Sequence, residues 1–407
     1  VFPVDRPPID NGVVTIGDEG RILSVGSASN VDGPIRDLGL VALLPGFVNA
    51  HTHLEFSDLP KPLGEPGAPL VEWIRQVLVH RRRRARRPAA AIAAGISESV
   101  SQGTTTLGEI ATADAAAYAG VHPVELTLFV EVIGFSQARA ESVFTVAVNQ
   151  LDALRGLQLG ISPHAPYTVS PALLGRLVEL ANSRRLPVAM HVAECADELE
   201  FLAAGTGPFR VLLEERSMWD PTVIPHGSRP LDYLRRLADS PRALIIHGNY
   251  LDDEERSFLS AHADRMTLVY CPRTHGRFDH PPYPLTELLE SGVRVALGTD
   301  SRASNPDLSV LEEMRYVARH HPDVPPETIL KLGTLAGAAA LGRDADCGSI
   351  TPGKWANLVG LPLPSEARGR STDLLSAMLA GTDVLMAVWL HGKQVAPADG
   401  SIAAGTY

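Results

Sequence analysis

Two histidines one residue apart, His51 and His53, follow directly on an apolar run at 41–48, in the stretch Pro45-Gly46-Phe47-Val48-Asn49-Ala50-His51-Thr52-His53-Leu54-Glu55. The run reads as a fully buried strand. In an extended chain residues i and i+2 point the same way, so two imidazoles leaving one strand end can reach a single metal ion together. Taken alone, the pair would suit a polar loop equally well. Later stretches shift that balance, because apolar runs repeatedly end in a polar residue that is costly to bury without a role. They supply His164 in Ser162-Pro163-His164-Ala165-Pro166-Tyr167, and His191 with Glu194 in His191-Val192-Ala193-Glu194. They also supply His247 after Ile245-Ile246, the turn Cys271-Pro272-Arg273-Thr274-His275, and Asp300 after Leu297-Gly298-Thr299.

Residues so far apart in sequence meet only if the strands before them share one end. Short apolar runs near 41–49, 104–109, 126–132, 158–163, 187–192, 243–247, 267–271 and 293–299 alternate with stretches of helical spacing such as 171–182 and 308–319. This is the pattern of βα units. Eight such units predict a (β/α)8 TIM barrel, in which the C-terminal strand ends converge on one active site. Both chain ends are β-rich, as in Gly12-Val13-Val14-Thr15-Ile16 and Ala356-Asn357-Leu358-Val359-Gly360. They are expected to pair into a small composite β-sandwich over 1–44 and 345–407, leaving 45–344 as the barrel. The Gly- and Pro-rich connection at 205–240 is long enough to arch over the barrel mouth.

Composition narrows the partners. With 407 residues, 45% of them hydrophobic and 20% charged, the chain is ordinary globular material. The net charge of -11 disfavours nucleic acid and anionic membranes while leaving a small neutral heterocycle free to bind. The arginines of 81–84, with Arg86 and Arg87, are read as a solvated helix face. Three scattered cysteines, Cys195, Cys271 and Cys347, suit a reducing cytoplasm better than a disulfide framework. No secretory leader or membrane-spanning apolar stretch is recognised, so a cytoplasmic location is expected.

With these motifs assembled, the chain resembles the amidohydrolase superfamily, in its cytosine deaminase, guanine deaminase and chlorohydrolase-like branch. The resemblance runs from Pro45–His53 through Gly103-Thr104-Thr105-Thr106, His191–Glu194 and Gly298-Thr299-Asp300 to the return at Gly348-Ser349-Ile350-Thr351-Pro352-Gly353-Lys354. It implies a barrel, a composite β-sandwich and one divalent metal, Zn²⁺ in first place and Fe²⁺ in second. It makes His51, His53, His191 and Asp300 the metal ligands. Such a metal brings the pKa of bound water from about 15.7 toward about 7. The same resemblance makes Asp300 the acceptor of the water's proton, has His247 direct the attack, and has Glu194 protonate a ring nitrogen of the substrate. The implied reaction is hydrolytic deamination of an N-heterocycle, with an adenine-type nucleoside as leading substrate. Guanine-type substrates, another C–N or a C–Cl bond, and a non-catalytic binding barrel are the alternatives. A homo-oligomer is compatible with all of these.

Four side chains are left for the substrate: His164, Glu109, His275 and Trp73. His164 otherwise hydrogen-bonds behind the ligands. Glu109 and Glu131 otherwise pair with Arg273 or Arg302, and Trp73 and Trp219 otherwise pack in the core. His275 departs from the branch, whose guanine deaminase and chlorohydrolase members more often carry Asn there. The only lysines are Lys61, Lys331, Lys354 and Lys393, none on an expected strand from the second to the eighth, which argues against a lysine-bridged pair of metals.

Overall fold

The computed structural model describes residues 1–28, 35–83, 88–118, 124–363 and 371–396. A hairpin of β1 (Gly12–Ile16) and β2 (Ile22–Ser27) precedes β3 (Val41–Pro45). Eight strands then form one parallel sheet in chain order: β4 (Phe47–Thr52), β5 (Thr104–Ala111), β6 (Glu125–Val132), β7 (Gln158–Pro163), β8 (Val188–Val192), β9 (Ala243–His247), β10 (Met266–Tyr270) and β11 (Val295–Leu297). The sheet closes on itself where Thr52 bridges Asp300 and the backbone N–H groups of Thr299 and Asp300 donate to the His51 carbonyl at 3.2 and 3.1 Å. This is the expected (β/α)8 barrel. Its strands are apolar and buried on both faces because side chains fill one face and helices cover the other. Val48, Ala50, Ile110, Phe129, Ala189, Leu244, Ile246, Val269 and Ala296 form the inner cluster, joined by Ala338, Ala340 and Leu341 from the region of helix Leu335–Ala340.

The run at 41–49, read as one strand, is two. β3 pairs antiparallel with β12 (Leu358–Pro362), whereas β4 pairs parallel with β5. Gly46 stands at the change of sheet, where a Cβ would come within 2.3 Å of Thr105 Oγ1. A continuous apolar run carries no mark of this break, because both halves are buried equally well. β12 continues through β13 (Ala387–Leu390) to β14 (Lys393–Ala396), giving the sheet order β14-β13-β12-β3. Ile22, Leu358, Ala387 and Trp389 share a cluster with Val14 and Val25 of the hairpin, so the small β domain is two packed sheets built from both chain ends.

The 205–240 connection is more ordered than a loop. It contains helices Gly207–Glu215 and Pro230–Leu237, and Phe209 stacks on Tyr167 with ring centroids 3.9 Å apart. Of the arginine run, Arg82 and Arg83 are exposed, but Arg81 turns inward to an ion pair with Glu55; residues 84–87 lie outside the described residues. Among the described residues no helix is long and apolar enough to cross a membrane. The three cysteines are free and buried.

Because Thr105 is fully buried and cannot yield, Gly46→Ala should cost about 1–3 kcal/mol of stability through overpacking. A urea-unfolding midpoint equal to the parent's would contradict this reading of the junction.

Candidate metal centre

Regular alternation along β4 would send His51 to the face opposite Ala50. The pairing register with β5 shifts between Asn49 and Thr52, and both His51 and His53 turn to the barrel mouth. Their ring centroids lie 4.9 Å apart, and the Nε2 atom of each is 3.7 Å from Asp300 Oδ1. His191, at 4.9 Å from the His51 ring, arrives from β8, and His247, at 5.9 Å, from β9. Ligand atoms of His51, His53 and Asp300, and separately of His51, His191 and His247, fall within 4.8 Å of one another.

The donor set fits a divalent cation, and the hydrogen bonding agrees. His51 Nε2 is buried with no hydrogen-bond partner, a costly state for a polar atom unless a cation accepts its lone pair. His191 Nδ1 donates to the His164 carbonyl at 2.9 Å, which leaves its Nε2 lone pair for a metal. Burial, reinforced by neighbouring histidines, holds His53 and His191 well below the ordinary imidazole range, in the neutral form a ligand needs. Burial alone would raise Asp300, but the His51 and His247 imidazoles and the Ser304 hydroxyl outweigh it and hold the carboxyl below its usual value. Ser304 Oγ donates to Asp300 Oδ2 at 2.6 Å, so Oδ1 is the oxygen that faces the histidines.

Two of these side chains leave their strands on strained backbone. His247 and Asp300 have φ of 69° and 55°, and Ala193, beside Glu194, has φ of 53°. Non-glycine residues adopt this left-handed region at a cost of about 1–3 kcal/mol each, and only where surrounding contacts enforce it. Here the enforcing contacts are visible. Tyr283 Oη donates to the His247 carbonyl at 3.1 Å, and Thr52 Oγ1 to the Asp300 carbonyl at 2.9 Å. Asn49 binds Thr299 twice, through Nδ2 to Oγ1 at 2.7 Å and through Oδ1 from the backbone N–H at 3.1 Å.

Glu194 lies beside the histidines, with Oε1 at 3.4 Å from His247 Nε2. Burial, then the negative charges of Asp300 and Glu198, push its carboxyl well above the ordinary range, so it is set to carry a proton near neutrality.

The four residues assigned to substrate have different surroundings. His164 Nδ1 is 2.7 Å from Thr168 Oγ1 and its ring 5.1 Å from that of His191; burial, with Arg81 and His51 nearby, lowers it to about 3. Glu109 is fully buried and accepts from the Leu54 N–H at 2.8 Å and from Tyr118 Oη at 3.2 Å, holding the turn after His53. Trp73 donates to the Ala303 carbonyl at 3.0 Å and packs edge-on against Phe278. Both ring nitrogens of His275 face oxygens, Nδ1 at 3.1 Å from Asn249 Oδ1 and Nε2 at 3.0 Å from the Pro281 carbonyl oxygen, and the ring's single N–H serves one of them. Arg273 pairs with Glu313 and Asp307, and Arg302 with Glu98, so neither takes Glu109. Glu131 instead faces Arg81, and burial raises it to about 7. Trp219 stacks on Phe135 and packs against Phe201.

Sequence reasoning passed over Asn49, Glu198, Asn249, Tyr283 and Ser304, and read Arg81 as part of a solvated face. Asn49 was detectable as a polar residue inside an apolar run. Glu198 reads as an ordinary acid in the first turn of helix Ala196–Ala204.

An open-mouthed barrel carrying a histidine–aspartate cation site at its C-terminal rim is a metal-dependent hydrolase architecture. The amidohydrolase family model matches residues 42–395, and the chain belongs to that family. It is a hydrolase of carbon–nitrogen bonds, of the deaminase kind. It is 31% identical over 368 residues to the aminodeoxyfutalosine deaminase of Deinococcus radiodurans, covering 81% of each chain. It is 28% identical over 386 residues to the 5-methylthioadenosine/S-adenosylhomocysteine deaminase of Syntrophobacter fumaroxidans, covering 87% of this chain and 81% of the relative. Among solved structures, an adenosine deaminase from Xanthomonas campestris with bound zinc superposes with a TM-score of 0.79 at 26% identity, over 96% of this chain and 90% of that one.

His191→Ala should abolish metal retention, because it removes a donor already oriented by its second nitrogen. Elemental analysis of the purified variant showing a full equivalent of metal would exclude His191 as a ligand.

Proposed function

We propose that this protein hydrolytically deaminates an adenine-type nucleoside, using one divalent metal held by His51, His53, His191 and Asp300, with Zn²⁺ preferred over Fe²⁺. The observation that carries this reading is the gathering of the His51 and His53 imidazoles around Asp300, with a buried carboxyl, Glu194, held above its usual range in the same mouth. When bound, the metal lowers the pKa of water toward neutrality.

The protein's own residues do the rest. Asp300, kept ionised, accepts the proton of the attacking water. His247, 3.4 Å from Glu194, is placed to hydrogen-bond the attacking oxygen and fix its direction. Glu194 delivers its proton to the ring nitrogen beside the amine-bearing carbon, which makes that carbon electrophilic. The water oxygen bonds to the carbon, Asp300 passes the proton it took to the exocyclic nitrogen, the C–N bond breaks with loss of ammonia, and the hydroxyl proton left on the carbon returns to Glu194 as the carbonyl forms. His164 lies beside this group, where its ring can meet the substrate.

Within adenine-type nucleosides, the run His51–Ser57, the turn Cys271–His275 and the stretch Asp300–Ser309 look most like aminodeoxyfutalosine deaminase. The Deinococcus relative bears that name, which supports this substrate as the first to test. The Syntrophobacter relative makes 5′-thio-substituted adenosines the second.

Ammonia release from a panel of aminodeoxyfutalosine, methylthioadenosine, S-adenosylhomocysteine, adenosine and guanine tests the proposal. Silence across the panel with zinc bound would refute it. Glu194→Gln should keep its metal yet lose turnover by roughly 10²–10⁴-fold, the range of a general acid. For the parent, turnover should fall as pH rises through the raised Glu194 pKa, because the acid form is the active one. A kcat that stays flat on the alkaline side would contradict that role.

A further inference from the structure

Glu194 sits on a short turn with a left-handed residue directly before it. Its peptide groups are gripped from two sides. Glu198, fully buried, accepts the Ala193 N–H on Oε1 at 2.8 Å and the Glu194 N–H on Oε2 at 3.1 Å. On the other side Asn249, two residues past His247, donates Nδ2 to the Glu194 carbonyl at 2.9 Å. With that amide committed as donor, Asn249 Oδ1 must accept, and His275 Nδ1 donates to it at 3.1 Å. The opposite nitrogen of His275 lies 3.0 Å from the Pro281 carbonyl oxygen.

We propose that Glu198, Asn249 and His275 form a clamp across the ends of β8, β9 and β10 that positions Glu194 for proton transfer and touches neither substrate nor metal. This rests on the deaminase reading for what Glu194 does, but the clamp itself rests on the hydrogen bonds alone. It reassigns His275, whose two ring nitrogens face protein oxygens at 3.1 and 3.0 Å, on Asn249 and Pro281. It also gives Glu198 a task beyond capping. In a capping box the third helical residue returns to the N–H of the cap, here Cys195, whereas Glu198 reaches one and two residues further back and closes the left-handed turn at Ala193. Three strand ends therefore share the aiming of one carboxyl. A misplacement of about 1 Å at a reacting group can cost about 10²-fold in rate, which sets the expected effect.

The test uses Asn249→Ala, His275→Ala and Glu198→Gln in the full-length zinc-loaded protein. Crystal structures of the variants should show Glu194 Oε1 displaced from His247 Nε2, a 3.4 Å contact in the parent. Kinetically, each should lower kcat by about 10–100-fold with KM and zinc content near the parent's. Introduced on top of Glu194→Gln, the same changes should cost nothing further, because residues that act through one group are not additive. Glu194 found in place in Asn249→Ala and His275→Ala would overturn the proposal. So would the full loss recurring in the Glu194→Gln protein. If Glu198→Gln does not fold, Asn249→Ala, at a half-buried site, carries every readout. If the parent turns over no nucleoside, the deaminase reading fails, and the crystal structures still decide the clamp.

Discussion

Four imidazoles and two carboxyls gathered in one buried mouth is the constraint on which the rest of the structure depends. Charges in such a place are costly unless each meets an opposite partner, and lone pairs are costly unless something accepts them. The protein answers by neutralising what it can. His53, His191 and His247 are driven toward their uncharged forms by burial, and Glu194 toward its acid form. What remains is the ionised Asp300 facing the His51 and His53 ring nitrogens, a donor set that fits a divalent cation.

The surrounding hydrogen bonds follow from that concentration. Left-handed backbone at Ala193, His247 and Asp300 would relax if left alone. Glu198, Tyr283 and Thr52 each hold one of these turns through a peptide N–H or carbonyl. Buried carboxylates such as Glu109 and Glu198 thus serve the backbone that carries the chemistry. That is why two acids near the mouth bind peptide groups in place of arginines.

Much of this was legible in the chain and some was not, for physical reasons. The barrel could be read because parallel strands buried on both faces leave unbroken apolar runs, and their polar ends mark one rim. The break at Gly46 could not, since a strand leaving one sheet for another keeps the same hydrophobicity. His51 and His53 were visible as a pair, but the register shift that turns both to the mouth depends on Thr52 and its partners in β5. Arg81 was hidden in a run of arginines whose composition says solvent, while its neighbour Glu55 draws it inward. Glu198 and Asn249 carry no local signature, because their partners are main-chain atoms that any residue could supply.

The seam of the barrel adds one more consequence. The first and eighth strands, 250 positions apart in places such as Asn49 and Thr299, meet through one isolated bridge, two backbone hydrogen bonds to the His51 carbonyl and a few side-chain links. His51, His53 and Asp300 stand on opposite edges of that joint. A ring left open would separate the aspartate from the histidines, so completing the enclosure and bringing these three side chains together are a single event. An ion bound by these three side chains would tie the first strand to the eighth.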